Sequence, residues 1–355
     1  MNITVVIPSL DPDERLERVV HGLLDAGFSD FLLVDDGSAP EHTEVFRRLA
    51  ELSQVTVLHH PVNQGKGRAL KTAFAYLTEH RPDCEGVVTV DGDGQHLPQD
   101  VMRVAQAMTA GKREMILGAR NFDLPAVPSR SRFGNKASRI TMRLLCGLRI
   151  TDTQTGLRGI PAVLFPALLA VRGERFEYET NALLELNQKG TAIREVPIET
   201  VYEGNNEVSH FRPVRDGLRV YCLILSYFLR FAGSSLLCFS VDLLLFYLLG
   251  RFVFHGLKEH NQILCSTVAA RIVSSLLNFT LNRRAVFHAS GRLTSLLCRF
   301  YALSITQMLC SAGLMMLLCW LLPVPQTLMK CVVDTTLFLV SYQIQRRYVF
   351  GQKPE

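Results

Sequence analysis

The chain has 355 residues, 48% hydrophobic and 20% charged, with a formal net charge of +5. That length has room for two domains. The modest charge, without a dense Lys/Arg tract or basic–aromatic interleaving, argues against a nucleic-acid partner.

The first strand pattern, Ile3–Ile7, begins almost at Met1. No basic n-region precedes it, so no cleavable signal peptide is expected. Further strand-like apolar runs fall at Phe31–Val34, Val55–Leu58, Val87–Val90 and Met115–Leu117. Helical patterns separate them at Glu14–Ala26, Glu41–Leu52, Gly67–Thr78 and Pro98–Ala110. Strands alternating with helices predict a mostly parallel, doubly wound α/β sheet. Ligands of such sheets bind outside the carboxyl ends of the strands.

Four motifs stand at those ends: Pro8-Ser9-Leu10, Asp35-Asp36-Gly37-Ser38, Asn63-Gln64-Gly65-Lys66-Gly67 and Asp91-Gly92-Asp93-Gly94-Gln95-His96. Each has a plain alternative as a turn or helix cap, since Asp, Gly and Ser favour turns. Their convergence on one edge favours a nucleoside-diphosphate site. Asp91 and Asp93, one residue apart, can grip one divalent cation, and hard oxygen ligands favour Mg²⁺ or Mn²⁺. Gly92 and Gly94 leave room for a ligand near the backbone. The Asp36 carboxylate can accept hydrogen bonds from a base or ribose. Gly65-Lys66-Gly67 can offer backbone N–H groups and an ammonium to phosphate at a helix N-terminus. It is not a Walker A loop, because GxxxxGK[ST] is absent.

These motifs resemble the family 2 GT-A glycosyltransferases, in the branch similar to dolichol-phosphate mannose synthase and bacterial polyprenyl-phosphate sugar transferases. The resemblance continues through Gly118-Ala119-Arg120, Ser131–Asn135, Asp152–Gly159, Phe176–Thr180, Glu195–Ile198 and Ser209–Pro213, covering residues 1–220. It implies metal-binding roles for Asp91, Asp93 and Gln95. Pro8, Leu10, Val34, Asp36, Asp91 and Gly92 match positions lining the nucleoside; Leu10 stands where a Tyr is common. Glu14 closes Asp11-Pro12-Asp13-Glu14, which replaces a shorter Asn-Glu. Arg120 and Arg132 match basic positions associated with the phosphates. The implied donor is a UDP- or GDP-linked sugar and the implied acceptor a polyprenyl phosphate. His96 and His210 read as structural.

From about Tyr221 long apolar runs dominate. Segments 229–250, 263–281, 300–322 and 327–344 are each near bilayer-spanning length. Arginines 212, 215, 219 and 230 precede the first; 283, 284, 292 and 299 lie between the second and third; Arg346, Arg347 and Lys353 follow the last. The other two connections carry fewer basic residues, so the positive-inside rule places both termini in the cytosol, at the inner or plasma membrane. Nine scattered cysteines without a CxxC pair suit a reduced, cytosol-facing protein. Asp242, Arg271 and Asp334 lie inside these segments, where charge is costly, and Arg271 can pair with either aspartate. Asn278–Phe287 and Gln345–Phe350 resemble the GtrA-like four-helix membrane proteins, over about residues 228–350.

The expected organisation is a GT-A domain over 1–226, an interfacial segment at 213–228 and an all-α membrane domain over 227–355. The expected activity is inverting, metal-dependent transfer of a hexose-type sugar to polyprenyl phosphate, with Asp93, Arg120 and Arg132 at the reaction centre and a membrane domain that anchors or translocates the product. Homo-oligomerisation stays open. The alternatives are a processive polysaccharide synthase, whose QxxRW motif is missing, and a lipid transporter whose first domain senses nucleotide sugars.

Overall fold

A computed structural model describes residues 2–111, 113–122, 129–199, 213–287, 289, 291–321 and 325–351. His210, Arg212 and Lys353, which figured in the motif and charge patterns, lie outside them. The chain forms two compact units, one drawn mainly from residues up to Leu223 and the other from Ile224 onward together with Leu144–Gly147.

In the first unit, β1 (Ile3–Ser9), β2 (Phe31–Asp35), β3 (Val55–His59), β4 (Gly86–Thr89) and β5 (Met115–Arg120) occupy the five anticipated apolar runs. Their helices are α1 (Glu14–Asp25), α2 (Thr43–Ala50, after a short 3₁₀ turn), α3 (Lys66–His80) and α4 (Pro98–Gly111). Then come α5 (Ser129–Thr141), β6 (Arg158–Pro161), the short α6 (Phe165–Leu169), α7 (Glu177–Gln188) and β7 (Ile193–Ile198). The sheet order is β3-β2-β1-β4-β6-β5-β7. All pairings are parallel except those of β6, which runs antiparallel between β4 and β5. Val5, Ile7, Phe31, Leu33 and Val88 are buried, with Leu16, Val20 and Leu23 of α1 and Val101, Val104 and Ala105 of α4 in the same core. β2 lies on one side of β1 and β4 on the other. The crevice at the carboxyl ends of β1 and β4 is therefore the topological switch point, where doubly wound sheets bind ligands.

The second unit contains α8 (Pro213–Leu248, its first residues assigned to the first unit), α9 (Glu259–Leu281), α10 (Leu293–Leu321) and α11 (Gln326–Ile344). Among the described residues, three stretches are long and apolar enough to cross a membrane: Phe228–Val253, Glu259–Val286 and Leu293–Leu321. The fourth anticipated crossing is helical as α11 but is not among them; it carries Lys330 and Asp334. α9 and α11 both end in π-helical turns with related sequences, Asn282–Val286 and Gln345–Val349. Asn282 Nδ2 donates to Gln345 Oε1 at 3.0 Å, and Phe287 stacks on Phe350 at 5.3 Å. Ser234 donates to Asn282 at 2.8 Å, extending this buried polar link to α8. The charges at Asp242, Arg271 and Asp334 fall into two ion pairs. Arg271 lies 3.4 Å from Asp242, whose other oxygen accepts from Ser274. Asp334 takes Lys330, at 3.0 Å, as its partner rather than Arg271.

Candidate active site

The residues at the carboxyl edge are held by a lattice of short hydrogen bonds. The Asp36 N–H donates to Ser9 O at 2.9 Å, closing β2 onto the end of β1. Asp36 is 4% exposed, and its carboxylate accepts from the Gln64 and Gly65 N–H groups at 3.0 and 2.7 Å. His60 Nδ1 lies 2.8 Å from the same carboxylate. Asp36 thus anchors the loop that delivers Lys66, a role not anticipated from the motif. Asp35 likewise binds the Ser38 N–H at 2.8 Å and faces His59 Nδ1 at 2.9 Å. Burial alone would raise the Asp35 carboxyl, but His59 and Ser38 outweigh it and hold it below its ordinary range.

Two glycines let the Lys66 loop pack closely. Gly65 has φ +103°, and a Cβ there would meet Glu174 O at 2.4 Å. A Cβ on Gly67 would meet Tyr178 Cβ at 2.4 Å. With its backbone pinned against the start of α7, Lys66 sends its ammonium to Asp91 Oδ1 at 2.8 Å and Glu179 Oε2 at 3.1 Å. Burial would lower the Lys66 pKa, but the two carboxylates dominate and raise it well above the ordinary lysine range. Glu179 is backed by Arg158, whose Nε lies 3.8 Å from Oε1 and whose Nη1 donates to Glu179 O at 2.9 Å.

Asp91 and Asp93 follow β4. Burial pushes the Asp91 carboxyl up, but Lys66 and His96 outweigh it and hold Asp91 well below the carboxylate range. Asp93 shifts the other way, through burial and then the neighbouring Asp91 charge. The Gln95 N–H donates to Asp93 at 3.1 Å and tightens the turn. Gly156 matters here as well, because a Cβ on it would lie 2.1 Å from Asp91 Oδ2. Its carbonyl accepts from Thr89 at 2.7 Å, so the bare backbone presses directly against the Asp91 carboxylate. Among the described residues no three His, Cys, Asp or Glu side chains converge as a metal cage. Two adjacent carboxylates beside a cation still fit Mg²⁺ or Mn²⁺, because such ions are commonly held by one or two carboxylates plus substrate phosphates.

The remaining expected site residues are distributed around this centre. Pro8 and Leu10 are half-buried at the end of β1, while the Val34 side chain is fully buried within β2. Gly92 sits close to Ser9 and Leu16, at 3.1 Å from each for a built Cβ. Glu14 is exposed in the first turn of α1. Arg120 ends β5, whose carboxyl end points the same way as that of β4 because both run antiparallel to β6. Its fork meets the fully buried Asp152, Nε to Oδ2 at 2.7 Å and Nη2 to Oδ1 at 3.1 Å. Glu195 Oε1 accepts from the Thr151 and Asp152 N–H groups, and Asn135 of α5 donates to Thr151 O at 2.8 Å. Arg132 lies one helical turn before Asn135 on α5. Asp152, Gly156, Arg158 and Glu179 stood in recognised motifs without an assigned role. Only the pairing of β6 between β4 and β5 shows what they touch.

Residues 4–159 match the family described as "Glycosyl transferase family 2", and residues 230–350 match "GtrA/DPMS, transmembrane domain". The UDP-N-acetylglucosamine–dolichyl-phosphate N-acetylglucosaminyltransferase of Methanococcus voltae is 29% identical over 217 residues, 56% of this chain and 86% of that one. The undecaprenyl-phosphate mannosyltransferase of Micrococcus luteus is 29% identical over 209 residues, 57% of this chain and 84% of that one. Among solved structures, glucosyl-3-phosphoglycerate synthase from Mycobacterium tuberculosis, in complex with Mn²⁺, UDP and phosphoglyceric acid, is similar with a TM-score of 0.47 at 18% identity, covering 63% of this chain and 77% of that one.

Proposed function

We propose that this membrane protein, which is a family 2 glycosyltransferase domain joined to a GtrA/DPMS transmembrane domain, transfers a hexose-type sugar from a nucleoside diphosphate to a polyprenyl phosphate. The observation that carries the proposal is the Asp91–Asp93 pair at the switch point, with the Lys66 ammonium against it and Arg120 on the same sheet edge. Matched relatives that act on dolichyl and undecaprenyl phosphates support the acceptor class.

A lipid monophosphate has a second pKa near 6 and is largely a dianion at neutral pH. One of its oxygens forms the new bond to the anomeric carbon as the bond to the nucleoside diphosphate breaks, which inverts that centre. Such a nucleophile needs no general base. It needs cations, because two clusters of phosphate charge must approach one another. Arg120, its Nε and Nη2 held by Asp152, would bring the Nη1 edge of its guanidinium to phosphate oxygens, and Arg132 on α5 would bring a second guanidinium. Lys66 supplies a point charge toward the donor. Asp91, Asp93 and Gln95 would hold Mg²⁺ or Mn²⁺, which when bound supplies Lewis-acid stabilisation of the leaving diphosphate. In the membrane unit, the α9 and α11 ends bring Arg283, Arg284, Arg346 and Arg347 to what the positive-inside rule makes the cytosolic face. α11 would be the fourth crossing, its Lys330–Asp334 pair neutral within one helix.

The test is donor-dependent labelling of lipid. Purified enzyme is incubated with undecaprenyl phosphate and a panel of labelled UDP- and GDP-sugars, and the organic phase is counted. A labelled lipid that releases its sugar in mild acid is expected from at least one donor. Water-soluble or polymeric product, or no donor-dependent lipid, would overturn the proposal.

A further inference from the structure

The position of Lys66 bears on how the donor is admitted. Its ammonium lies 2.8 Å from Asp91 Oδ1, an oxygen that the reading above assigns to a metal. The Lys66 side chain is 17% exposed and that of Glu179 12%. The glycines on either side of Lys66 pack closely on Glu174 and Tyr178, so a shift of its ammonium falls to the four-carbon stem. Glu179 is a stationary partner. It lies on α7, its main-chain oxygen is bound by Arg158, and that arginine is 3% exposed and donates from Nε to Thr155 O at 3.0 Å.

We propose that Lys66 is the resting counter-ion of the Asp91–Asp93 pair, and that it leaves Asp91 for the donor's diphosphate as metal and nucleotide enter, with Glu179 as the pivot that retains it in both states. The inference rests on the metal assignment of Asp91 and Asp93. Its physical basis is charge balance. A divalent ion entering alone would meet the Lys66 ammonium on one of its own ligand oxygens, and like charges a few ångströms apart repel strongly where water is excluded. A nucleoside diphosphate entering with the ion brings anionic oxygens within reach of the lysine, so the repulsion becomes attraction. Lys66 would thereby disfavour an idle metal and favour the metal–nucleotide complex. Arg158 keeps Glu179 neutralised while Lys66 shifts, so the pivot is never left as an isolated buried charge.

Mn²⁺ binding without turnover tests this, with the full-length protein in detergent and free Mn²⁺ followed by its paramagnetic resonance signal. Lys66→Met should bind Mn²⁺ alone roughly tenfold or more tightly than the wild type, because it removes the competing cation. Lys66→Arg, which retains the charge, should not gain affinity. Glu179→Gln should bind Mn²⁺ more weakly than the wild type, since the whole lysine charge then falls on Asp91. Adding UDP or GDP, whichever binds the wild type, should tighten Mn²⁺ binding by a larger factor in the wild type than in Lys66→Met. By linkage, that difference measures the energetic coupling through Lys66. Thermal unfolding confirms that each variant is folded. If Asp93→Asn still binds Mn²⁺ normally, the metal assignment itself fails. If Asp93→Asn loses Mn²⁺ but Lys66→Met gains no affinity, or if nucleotide coupling is equal in both proteins, the counter-ion role alone is overturned.

Discussion

Lys66 in the first unit and Lys330 in the second each meet a carboxylate at about 3 Å, yet the two contacts differ in kind. Lys66 reaches Asp91, 25 residues on, and Glu179 on another helix; both side chains beside it are shielded more than Lys330 and Asp334, whose side chains are 49% and 52% exposed. Lys330 and Asp334 are four residues apart and pair within their own helix. The first arrangement exists only once the loop after β3, the end of β4 and the first turn of α7 have been brought together. The second can form wherever the helix forms, with Ser311 of α10 added to it in the fold, donating to Asp334 at 2.8 Å and accepting from Lys330 at 2.7 Å. A long-range ion pair reports on tertiary geometry and can carry function through it, whereas an i,i+4 pair chiefly neutralises its own helix. Asp242 and Arg271 fall between these cases, on separate helices but with the arginine side chain 70% exposed.

The sharpest way to break this contrast is at the carboxylate pair. Asp93→Asn should lower transfer to polyprenyl phosphate by about a thousandfold, equivalent to the several kcal/mol expected of lost Lewis-acid stabilisation. Its thermal unfolding should stay close to that of the wild type, since Asp93 is pushed toward its neutral form by burial and by Asp91. Full activity in Mg²⁺ or Mn²⁺ would mean that the switch point is not the reaction centre.

A second experiment separates acceptor from donor. Arg132→Ala should cost about a hundredfold in lipid glycosylation, by analogy with loss of one preorganised donor at developing charge. Hydrolysis of the donor by water should fall much less, because water carries no phosphate to neutralise. Equal losses in both reactions would place Arg132 on the donor side or in the fold.

Gly156→Ala probes geometry rather than charge. The added methyl would sit 2.1 Å from Asp91 Oδ2, so the carboxylate must move. A misplacement of this scale at a reacting centre should lower transfer about tenfold or more. The requirement for divalent metal should rise with it. Wild-type metal dependence in a folded Gly156→Ala protein would show that Asp91 has slack that the packing does not suggest.

Such effects explain what was and was not legible beforehand. Strands β1 to β5 were visible because each is an apolar run bounded by turn residues, and fully buried strands read that way. β6 was not, because Arg158-Gly159-Ile160-Pro161 has no alternation and only one β-branched residue, Ile160. Gly and Pro weaken a strand assignment, and only pairing with both neighbours makes this one. Asp91 and Asp93 were legible because only Gly92 separates them in sequence. Glu179, Asp152 and Gly156 were not assigned because the partners that define them lie 21 or more residues away. In the membrane unit, the sequence offers Arg271 as a counter-ion for either aspartate; the structure pairs it with Asp242 and gives Asp334 to Lys330.

The smallest effects test the membrane half of the comparison. Arg271 lies twelve residues into a 28-residue candidate span, near mid-depth. Charged residues there cost about 2.5–3.5 kcal/mol on insertion scales, while polar contacts between membrane helices average only about 0.6 kcal/mol. Arg271→Leu removes one cost but leaves Asp242 with only the Ser274 hydroxyl. The net expectation is a modest loss of unfolding free energy in mixed micelles, about 1 kcal/mol. Asp242→Asn introduced with it should restore part of that loss, because Asn can still accept from Ser274 without a charge to neutralise. The double-mutant coupling of Asp242 with Arg271 should exceed that of Lys330 with Asp334, for which a helical i,i+4 pair predicts only about 0.3–0.5 kcal/mol. If the local pair proves the more strongly coupled, sequence separation is not what distinguishes the ion pairs of this protein. Burial around Lys330 by lipid, or by another part of the assembled protein, would then have to be measured directly, for example by the accessibility of Lys330→Cys to a water-soluble thiol reagent.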